Sequence, residues 1–134
     1  MRVFLDTNVL VSALTTRGIC ADLLTAILAG HQLVLGETVL AELRRVLSKK
    51  MKVPRATVVE TEAFLRREAA IVSRGSDPGV AIRDPDDVAV LAEAIEGLAD
   101  VVVTGDRDFL DIAGDLPIDV LSPRGFWEKL QGNP

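Results

Sequence analysis

The sequence predicts an α/β fold in three layers, with a mostly parallel central sheet flanked by helices. Two observations predict it. Short runs rich in Val, Leu and Ile alternate with stretches of helical apolar spacing, and this alternation occurs both early and late in the chain. The chain has 134 residues, of which 49% are hydrophobic, enough for one well-buried core. We therefore expect a single domain over residues 1–134.

Four apolar runs have the length of buried strands. They cover residues 2–5, 32–35, 101–104 and 118–121. Between the first two runs, Ile19, Leu23, Leu24 and Ile27 recur at helical spacing, and Gly30 follows as a helix stop. This order of strand, helix and strand is typical of a parallel βαβ unit.

A second such unit is predicted near the end of the chain. Val88, Leu91, Ala92 and Ile95 form an apolar helical stripe that Gly97 ends before the run at 101–104. Asp84 is the expected cap of this helix, with the following proline at its first position. Two further helices are expected in the middle of the chain, from 39 to about 50 with Thr38 as N-cap, and from 55 to about 72.

The charge of the chain is unevenly distributed. The whole chain carries a net charge of −5, whereas residues 44–67 carry +6 and the remainder −11. An overall acidic protein is not a simple electrostatic nucleic-acid coat. The basic segment is either a solvated surface or a phosphate-contacting one, and its candidate contacts are Arg44, Arg45, Lys49, Lys50 and Lys52.

The composition excludes several kinds of chemistry. One cysteine, Cys20, and one histidine, His31, cannot supply a disulfide, a Cys/His zinc set or a paired histidine site. No apolar run approaches the ~18 residues of a membrane span, and a carboxylate follows the first run too early for a signal peptide. We expect a soluble, cytoplasmic protein with no membrane contact.

Acidic side chains stand where a site in such a fold is expected, beyond the carboxyl ends of the strands. Asp6 directly follows the first run, and Asp106 lies two residues after Thr104, the last residue of the third. Asp87 opens a helix. Glu42 falls on the boundary of the apolar side of its helix, about 100° from the centre of that side.

Each of these acids also has a purely structural explanation. Asp6, Asp87 and Asp106 suit helix starts and turns, and Glu42 can pair with Arg45 one turn later. Together, however, they would form a cluster of repelling carboxylates of the kind that hard divalent cations compensate. Asp84 or Asp86 could act in place of Asp87 if the helix begins elsewhere.

The same residues resemble a known family. LDTNVL at 5–10, Glu42, DPDD at 84–87 and TGDRDF at 104–109 are similar to the motifs of the PIN domain, over nearly the whole chain. More narrowly, RDPDD at 83–87, VVTGDRDFL at 102–110 and LSPR at 121–124 resemble the VapC-like toxins of bacterial and archaeal toxin–antitoxin systems.

The resemblance implies a metal-dependent endoribonuclease that hydrolyses RNA phosphodiester bonds with Mg²⁺ or Mn²⁺. Its implied catalytic and metal-holding residues are Asp6, Glu42, Asp87 and Asp106, and its implied supporting residues are Thr7, Asn8, Thr104 and Asp108. It further implies an RNA substrate, an antitoxin partner and a homodimer, and it makes the basic segment a candidate RNA contact.

The main alternative is a non-catalytic PIN-like module for RNA binding or assembly. Base-stacking modules need aromatic platforms, and this chain has only four Phe, one Trp and no Tyr. A haloacid-type phosphatase would need a second Asp at position 8, where Asn8 stands. A dinucleotide enzyme would need a glycine-rich turn after the first strand, and none is present.

Overall fold

The computed structural model describes residues 1–73 and 85–132, apart from the side chains of residues 85 and 86. It contains a five-stranded sheet in which every pairing is parallel, in the order β3-β2-β1-β4-β5. The strands are β1 (Arg2–Leu5), β2 (Gln32–Gly36), β3 (Ala70–Val72), β4 (Val101–Val103) and β5 (Asp119–Leu121). The predicted α/β class with its parallel central sheet is confirmed.

Helices connect the strands and cover the sheet. They are α1 (Thr7–Thr15), α2 (Ile19–Gly30), α3 (Glu37–Arg45), α4 (Arg55–Glu68), α5 (Pro85–Glu96), α6 (Arg107–Asp111) and α7 (Pro123–Leu130). A π-helical turn, Val46–Lys50, continues α3, and a short 3₁₀ turn, Ala113–Asp115, follows α6. No single helix among the described residues is long and apolar enough to cross a membrane; only α1 and α2 together, bent by 97°, have the length and composition.

The central strand β1 determines where a site can form. Val3 pairs with Leu33 of β2 on one side and with Val101 of β4 on the other. The sheet therefore grows in opposite directions from β1, and such a reversal of strand order opens a crevice at the carboxyl ends of the strands. Asp6, the first residue after β1, lies at this crevice.

The core is built from the middle of the sheet. Val3, Phe4 and Leu5 of β1 are fully buried, as are the three valines of β4. Phe109 of α6 and Phe126 of α7 are also fully buried. Burying a large apolar side chain adds ~1.5–3 kcal/mol to the stability of the fold. This core therefore keeps the strand ends that carry the acids in fixed positions.

Several predicted boundaries are wrong. The helix expected to run to about residue 72 ends at Glu68, because Ala69 has an extended backbone and residues 70–72 pair with β2 as the edge strand β3. Helix α3 begins at Glu37 with Gly36 as its N-cap, so Thr38 lies inside the helix. Helices α1, α6 and α7 were not predicted from the sequence.

The apolar stripe predicted for α5 is partly wrong as well. Val90, Leu91 and Ala94 belong to the core, whereas Ile95 is 37% exposed. Valine, leucine and alanine occur around most of this helix, so its apolar pattern alone left the buried face ambiguous. Asp84, the predicted cap of α5, lies outside the described residues.

Candidate active site

A polar cavity of about 90 Å³ lies at the carboxyl edge of the sheet. It is lined by Asp6, Thr7, Asn8, Glu42, Asp87, Val90 and Asp106. All four acids expected to form the site therefore share one cavity, although they come from the end of β1, the middle of α3, the first turn of α5 and the start of α6. Thr7 and Asn8 also reach it from the first turn of α1.

Asp6 is held by its backbone and by its side chain. Its amide N–H donates to the Val103 carbonyl of β4 at 3.0 Å, which extends the sheet by one residue. Its Oδ1 accepts the Thr7 N–H at 2.7 Å and caps α1. Its Oδ2 accepts the Thr104 hydroxyl at 2.7 Å. The side chain is only 8% exposed, so both carboxylate oxygens are fixed in direction at the cavity.

Thr104 links Asp6 to Asp106. The fully buried Thr104 hydroxyl donates to Asp6 and accepts the Asp106 N–H at 3.0 Å. Asp106 in turn caps α6, because its Oδ1 accepts the Asp108 N–H at 2.9 Å. The predicted supporting residue Thr104 thus connects two of the acids, whereas Asp108 is exposed and contributes its backbone N–H to Asp106.

Glu42 reaches the cavity from α3 with a side chain that is 35% exposed. The Arg45 guanidinium lies 3.6 Å from one of its oxygens, so Glu42 forms the predicted pair with Arg45 and also lines the cavity. Asp87 lies deeper, with 6% exposure, on the first turn of α5. The side chain of Asp86, the alternative to Asp87, lies outside the described part of the chain.

Ion pairs with α4 hold α3 from the outside. Arg66 donates to both oxygens of Glu37, at 2.7 and 2.9 Å, and to Glu62 at 2.9 Å. Arg44 contacts the other oxygen of Glu62 at 2.6 Å. The hydrogen bonds from Arg66 lower the pKa of Glu37, against the opposing effect of burial, and the same pairs raise the pKa of Arg66.

The basic segment divides into paired and exposed members. Arg44 and Arg66 are engaged with Glu62, and Arg45 lies beside Glu42. Lys49 and Lys50 are exposed on the π-helical turn after α3, and no ion pair of the described residues includes them. Lys52 is exposed with a left-handed backbone, φ 53°.

The donor set of the cavity suits a hard divalent cation. Its carboxylates, hydroxyl and amide group can all bind a cation through oxygen atoms, which are the ligands that Mg²⁺ and Mn²⁺ prefer. Within the described residues, no three His, Cys, Asp or Glu side chains form a ready-made metal cage. Mg²⁺ keeps several of its waters and binds through one or two carboxylates, and the cavity has room for several waters. The residues therefore fit such an ion with part of its hydration shell.

A larger cavity, of about 440 Å³, opens at the opposite edge of the sheet. Its lining is mostly apolar, including Ile95, Leu98 and Ile118. Of its two acids, Asp100 accepts the Arg2 backbone N–H at 2.7 Å and Asp119 lies 3.6 Å from the Lys129 ammonium. The smaller acidic cavity is therefore the candidate active site.

The parallel sheet and the four acids at its carboxyl end define the class of protein. It is an α/β protein with a cluster of carboxylates at the site where such folds bind their ligands. The model of the PIN domain family matches residues 2–108. The chain therefore belongs to the PIN domain family. No curated protein is similar enough in sequence to count as a match.

Solved structures of proteins from other organisms share the fold. VapBC2 from Rickettsia felis, bound to a DNA fragment from its promoter, is 20% identical with a TM-score of 0.67, covering 91% of this chain and 98% of that one. VapBC-1 from nontypeable Haemophilus influenzae is 17% identical with a TM-score of 0.67, covering 92% and 99%. FitAcB from Neisseria gonorrhoeae is 19% identical with a TM-score of 0.58, covering 91% and 98%.

Proposed function

We propose that this protein is a Mg²⁺- or Mn²⁺-dependent endoribonuclease and the toxin of a toxin–antitoxin pair. One observation carries the proposal: Asp6, Glu42, Asp87 and Asp106, from four different elements, line a single polar cavity. PIN domains are generally nucleases that use divalent metal, and membership in that family supports the same assignment.

The residues of the proposed site divide into metal-binding acids and supporting polar side chains. Asp6, Glu42, Asp87 and Asp106 would hold the metal ion, directly or through its waters. A bound Mg²⁺ or Mn²⁺ supplies a water of lowered pKa and neutralises charge on the scissile phosphate. Thr104 keeps the Asp6 carboxylate in place, since its hydroxyl donates to Oδ2 at 2.7 Å. Asn8 is exposed and lines the cavity, and its amide group would donate a hydrogen bond to a phosphate oxygen of the substrate.

The N-terminus of α1 would also act on the substrate. Helix α1 begins directly after Asp6, which lines the cavity, so its positive dipole end lies beside the space where a phosphate would bind. Repulsion between an acidic cavity and a polyanion is thereby reduced. Lys49 and Lys50, exposed beyond the end of α3, would contact RNA phosphates, together with Lys52, Arg44 and Arg45 at the same end of the helix.

The likeness in fold to the VapBC and FitAcB structures supports the toxin–antitoxin part of the proposal. We propose an antitoxin protein as partner, a homodimer as the assembly and the cytoplasm as the location. A non-catalytic PIN-like module for RNA binding or assembly is the alternative, and the following experiment separates the two.

Purified protein is incubated with cellular RNA and Mn²⁺, and the cleaved ends are sequenced for the wild type and for Asp6→Asn. Asparagine still caps a helix, so α1 should remain folded while the carboxylate is lost. Cleavage should fall by a factor on the order of 100 to 1000, the scale for losing a group that stabilises transition-state charge. The metal-free melting temperature should stay equal or rise, because one repelling charge is removed.

The matched control is Asp115→Asn, an exposed acid outside the cavity, which should cleave like the wild type. Excess chelator should abolish cleavage, and added Mg²⁺ or Mn²⁺ should restore it. Equal cleavage by Asp6→Asn, or cleavage that persists in chelator, contradicts the proposal. RNA binding without any cleavage by the wild type in Mn²⁺ supports the non-catalytic alternative instead.

A further inference from the structure

Glu93 is an acidic side chain in the interior that the proposed chemistry does not use. It lies on α5, six residues after Asp87, and its exposure is 0%. Burial raises the pKa of Glu93, and so does the nearby charge of Glu37, whereas hydrogen bonds from the start of α3 oppose the shift. A buried carboxyl group is costly unless it has partners, so the neighbours of Glu93 need an explanation.

Those neighbours are the first residues of α3. The Thr38 N–H donates to Glu93 Oε2 at 3.2 Å. The N-cap residue of α3 is Gly36, which has no side chain to bind the free N–H groups of the first turn. Glu93 therefore does from a neighbouring helix what Ser, Thr or Asp usually does from the N-cap position. Its negative end also faces the positive end of the α3 dipole.

Gly36 provides the space for this contact. A Cβ atom at position 36 would overlap the Glu93 carboxyl group. The backbone of Gly36, at φ −102° and ψ 160°, is one that any residue adopts. Glycine is therefore needed here for close approach and not for conformational freedom. Oε1 of Glu93 is buried with no hydrogen-bond partner in the described residues, a cost that an apolar side chain of similar length would avoid.

The two helices joined by this contact carry two of the cavity acids. Asp87 and Val90 of α5 line the cavity, and Glu93 follows Val90 by one more helical step. Glu42 lies four residues after Thr38, about 6 Å along α3 at 1.5 Å per residue. Gly97 anchors the far end of α5, since a Cβ there would press on Val34 of β2 at 2.7 Å. A shift of α3 against α5 would therefore move Glu42 relative to Asp87.

We propose that Glu93 is the positioning residue of the acidic site: by capping α3 from α5, it sets the distance between Glu42 and Asp87 across the cavity. The proposal rests on the proposed function in assigning these acids to one metal ion. Glu93 lines no part of the cavity, so it acts only through α3.

The experiment compares Glu93→Gln, Glu93→Asp and Glu93→Ala in Mn²⁺ affinity, measured by electron paramagnetic resonance of free Mn²⁺. Glutamine has the same length and keeps a carbonyl oxygen for the Thr38 N–H, so Glu93→Gln should bind Mn²⁺ nearly as the wild type does. Aspartate and alanine cannot reach the N–H. Their Mn²⁺ affinity should fall about tenfold, the lower end of losses when a group that orients metal ligands is removed.

The matched control is Glu96→Ala, an exposed acid on the same helix, which should leave Mn²⁺ affinity unchanged. Gly36→Ala should weaken Mn²⁺ binding like Glu93→Ala, because the new methyl group displaces the carboxyl. The double variant Gly36→Ala/Glu93→Ala should be no weaker than either single variant, since both changes remove the same contact.

A metal-free measurement separates this proposal from the proposed function. In nuclear magnetic resonance spectra without Mn²⁺, Glu93→Asp should shift the Thr38 and Glu42 amide signals and speed exchange of the Thr38 amide, and Glu96→Ala should do neither. If the wild type neither binds Mn²⁺ nor cleaves RNA, the proposed function fails, and these signals still decide whether Glu93 positions α3. Mn²⁺ affinity of Glu93→Asp equal to that of the wild type, or unmoved Thr38 and Glu42 signals, overturns the positioning role.

Discussion

Asp6 and Asp106 each perform two tasks with one carboxylate. Each caps the helix that follows it and lines the acidic cavity. The structural and functional explanations of these acids are therefore compatible, although in the sequence they compete. Capping N–H groups and helix dipoles also offset part of the repulsion among the acids, which helps the cavity to form without a cation.

Thr104 offers a test of this arrangement. Thr104→Val keeps the shape of the side chain but leaves the Asp106 N–H without its acceptor and Asp6 Oδ2 without its hydroxyl donor. We expect a loss of ~1–3 kcal/mol in the free energy of unfolding. RNA cleavage should fall ~10- to 100-fold, as for other groups that orient metal ligands. Urea unfolding and cleavage rates measure the two effects.

The control for this prediction is Thr104→Ser, which keeps the hydroxyl and loses only a methyl group. It should retain most of the cleavage activity. A valine variant as active as the serine variant would mean that the hydroxyl does not hold Asp6 in its working position.

At the residue scale, the candidate acids could be predicted from the sequence, whereas the contact that Glu93 makes with α3 could not. Acids at strand ends and helix starts follow from local patterns, so Asp6, Asp87 and Asp106 could be selected as candidates, although only the set of four acids favoured a site over a structural role. The contact of Glu93 with α3 joins residues 55 positions apart, and no local pattern announces it. An acid within the apolar helical run of α5 was the available signal.

At the scale of elements, α3 is held between two helices. Glu93 of α5 binds its N-terminal turn, and Arg66 and Glu62 of α4 bind Glu37 and Arg44. Charged side chains on α3 and α4 thus join the two helices and are not only a solvated surface. Two of its arginines are occupied within the fold, which leaves the lysines after α3 as the more accessible cations.

The ion pairs between α3 and α4 predict a pH effect. Arg66→Met should lower the free energy of unfolding at pH 7 by about 0.5 to 1 kcal/mol, the range for exposed pairs in a network. The pKa of Glu37 lies below its ordinary value of 4.5 in the fold, so the pair stabilises the protein above that pH. The stabilisation is lost as the pH falls through the lowered pKa.

Urea unfolding of Arg66→Met and the wild type between pH 3 and 7 tests this sign. Arg67→Met is the control, since it removes a neighbouring exposed arginine that has no ion pair within the described residues. A difference between Arg66→Met and the wild type that grows on acidification would contradict the assignment to Glu37.

The errors in element boundaries have a common physical cause. Strand β3 has three residues and forms by pairing with β2, so its conformation depends on a partner more than 30 residues away. The start of α3 was misplaced because Thr38 is a good local cap, whereas the actual cap comes from α5. Tertiary contacts determine both boundaries. The alternation of short apolar runs with helical apolar stripes was sufficient to predict the fold class.

At the scale of the whole molecule, the uneven charge predicts how RNA binds. Lys49→Glu/Lys50→Glu should weaken RNA affinity and flatten its salt dependence, because each lost phosphate contact removes ~0.7 from the slope of log K against log salt for a single strand. Lys52 is left unchanged to avoid disturbing its left-handed backbone. Mn²⁺ affinity should stay close to that of the wild type, since neither lysine lines the cavity.

A control of equal charge change is Arg17→Glu/Lys129→Glu. Arg17 follows the C-terminus of α1, and Lys129 lies near the C-terminus of α7. Neither residue lines the cavity or belongs to α3 or the turn that follows it. Salt titrations of RNA binding should give the control the wild-type slope. The same slope for the Lys49 and Lys50 variant would place the RNA path elsewhere.

The position of β1 at the centre of the sheet also bears on how the protein is made. Its partner β4 and the hydroxyl that fixes Asp6 lie almost one hundred residues further along the chain, and contacts so distant in sequence slow folding. A chain still being translated cannot close the acidic cavity until Thr104 and Asp106 have left the ribosome. Under the proposed function, the chain would therefore gain the ability to cut RNA only after most of it has been synthesised.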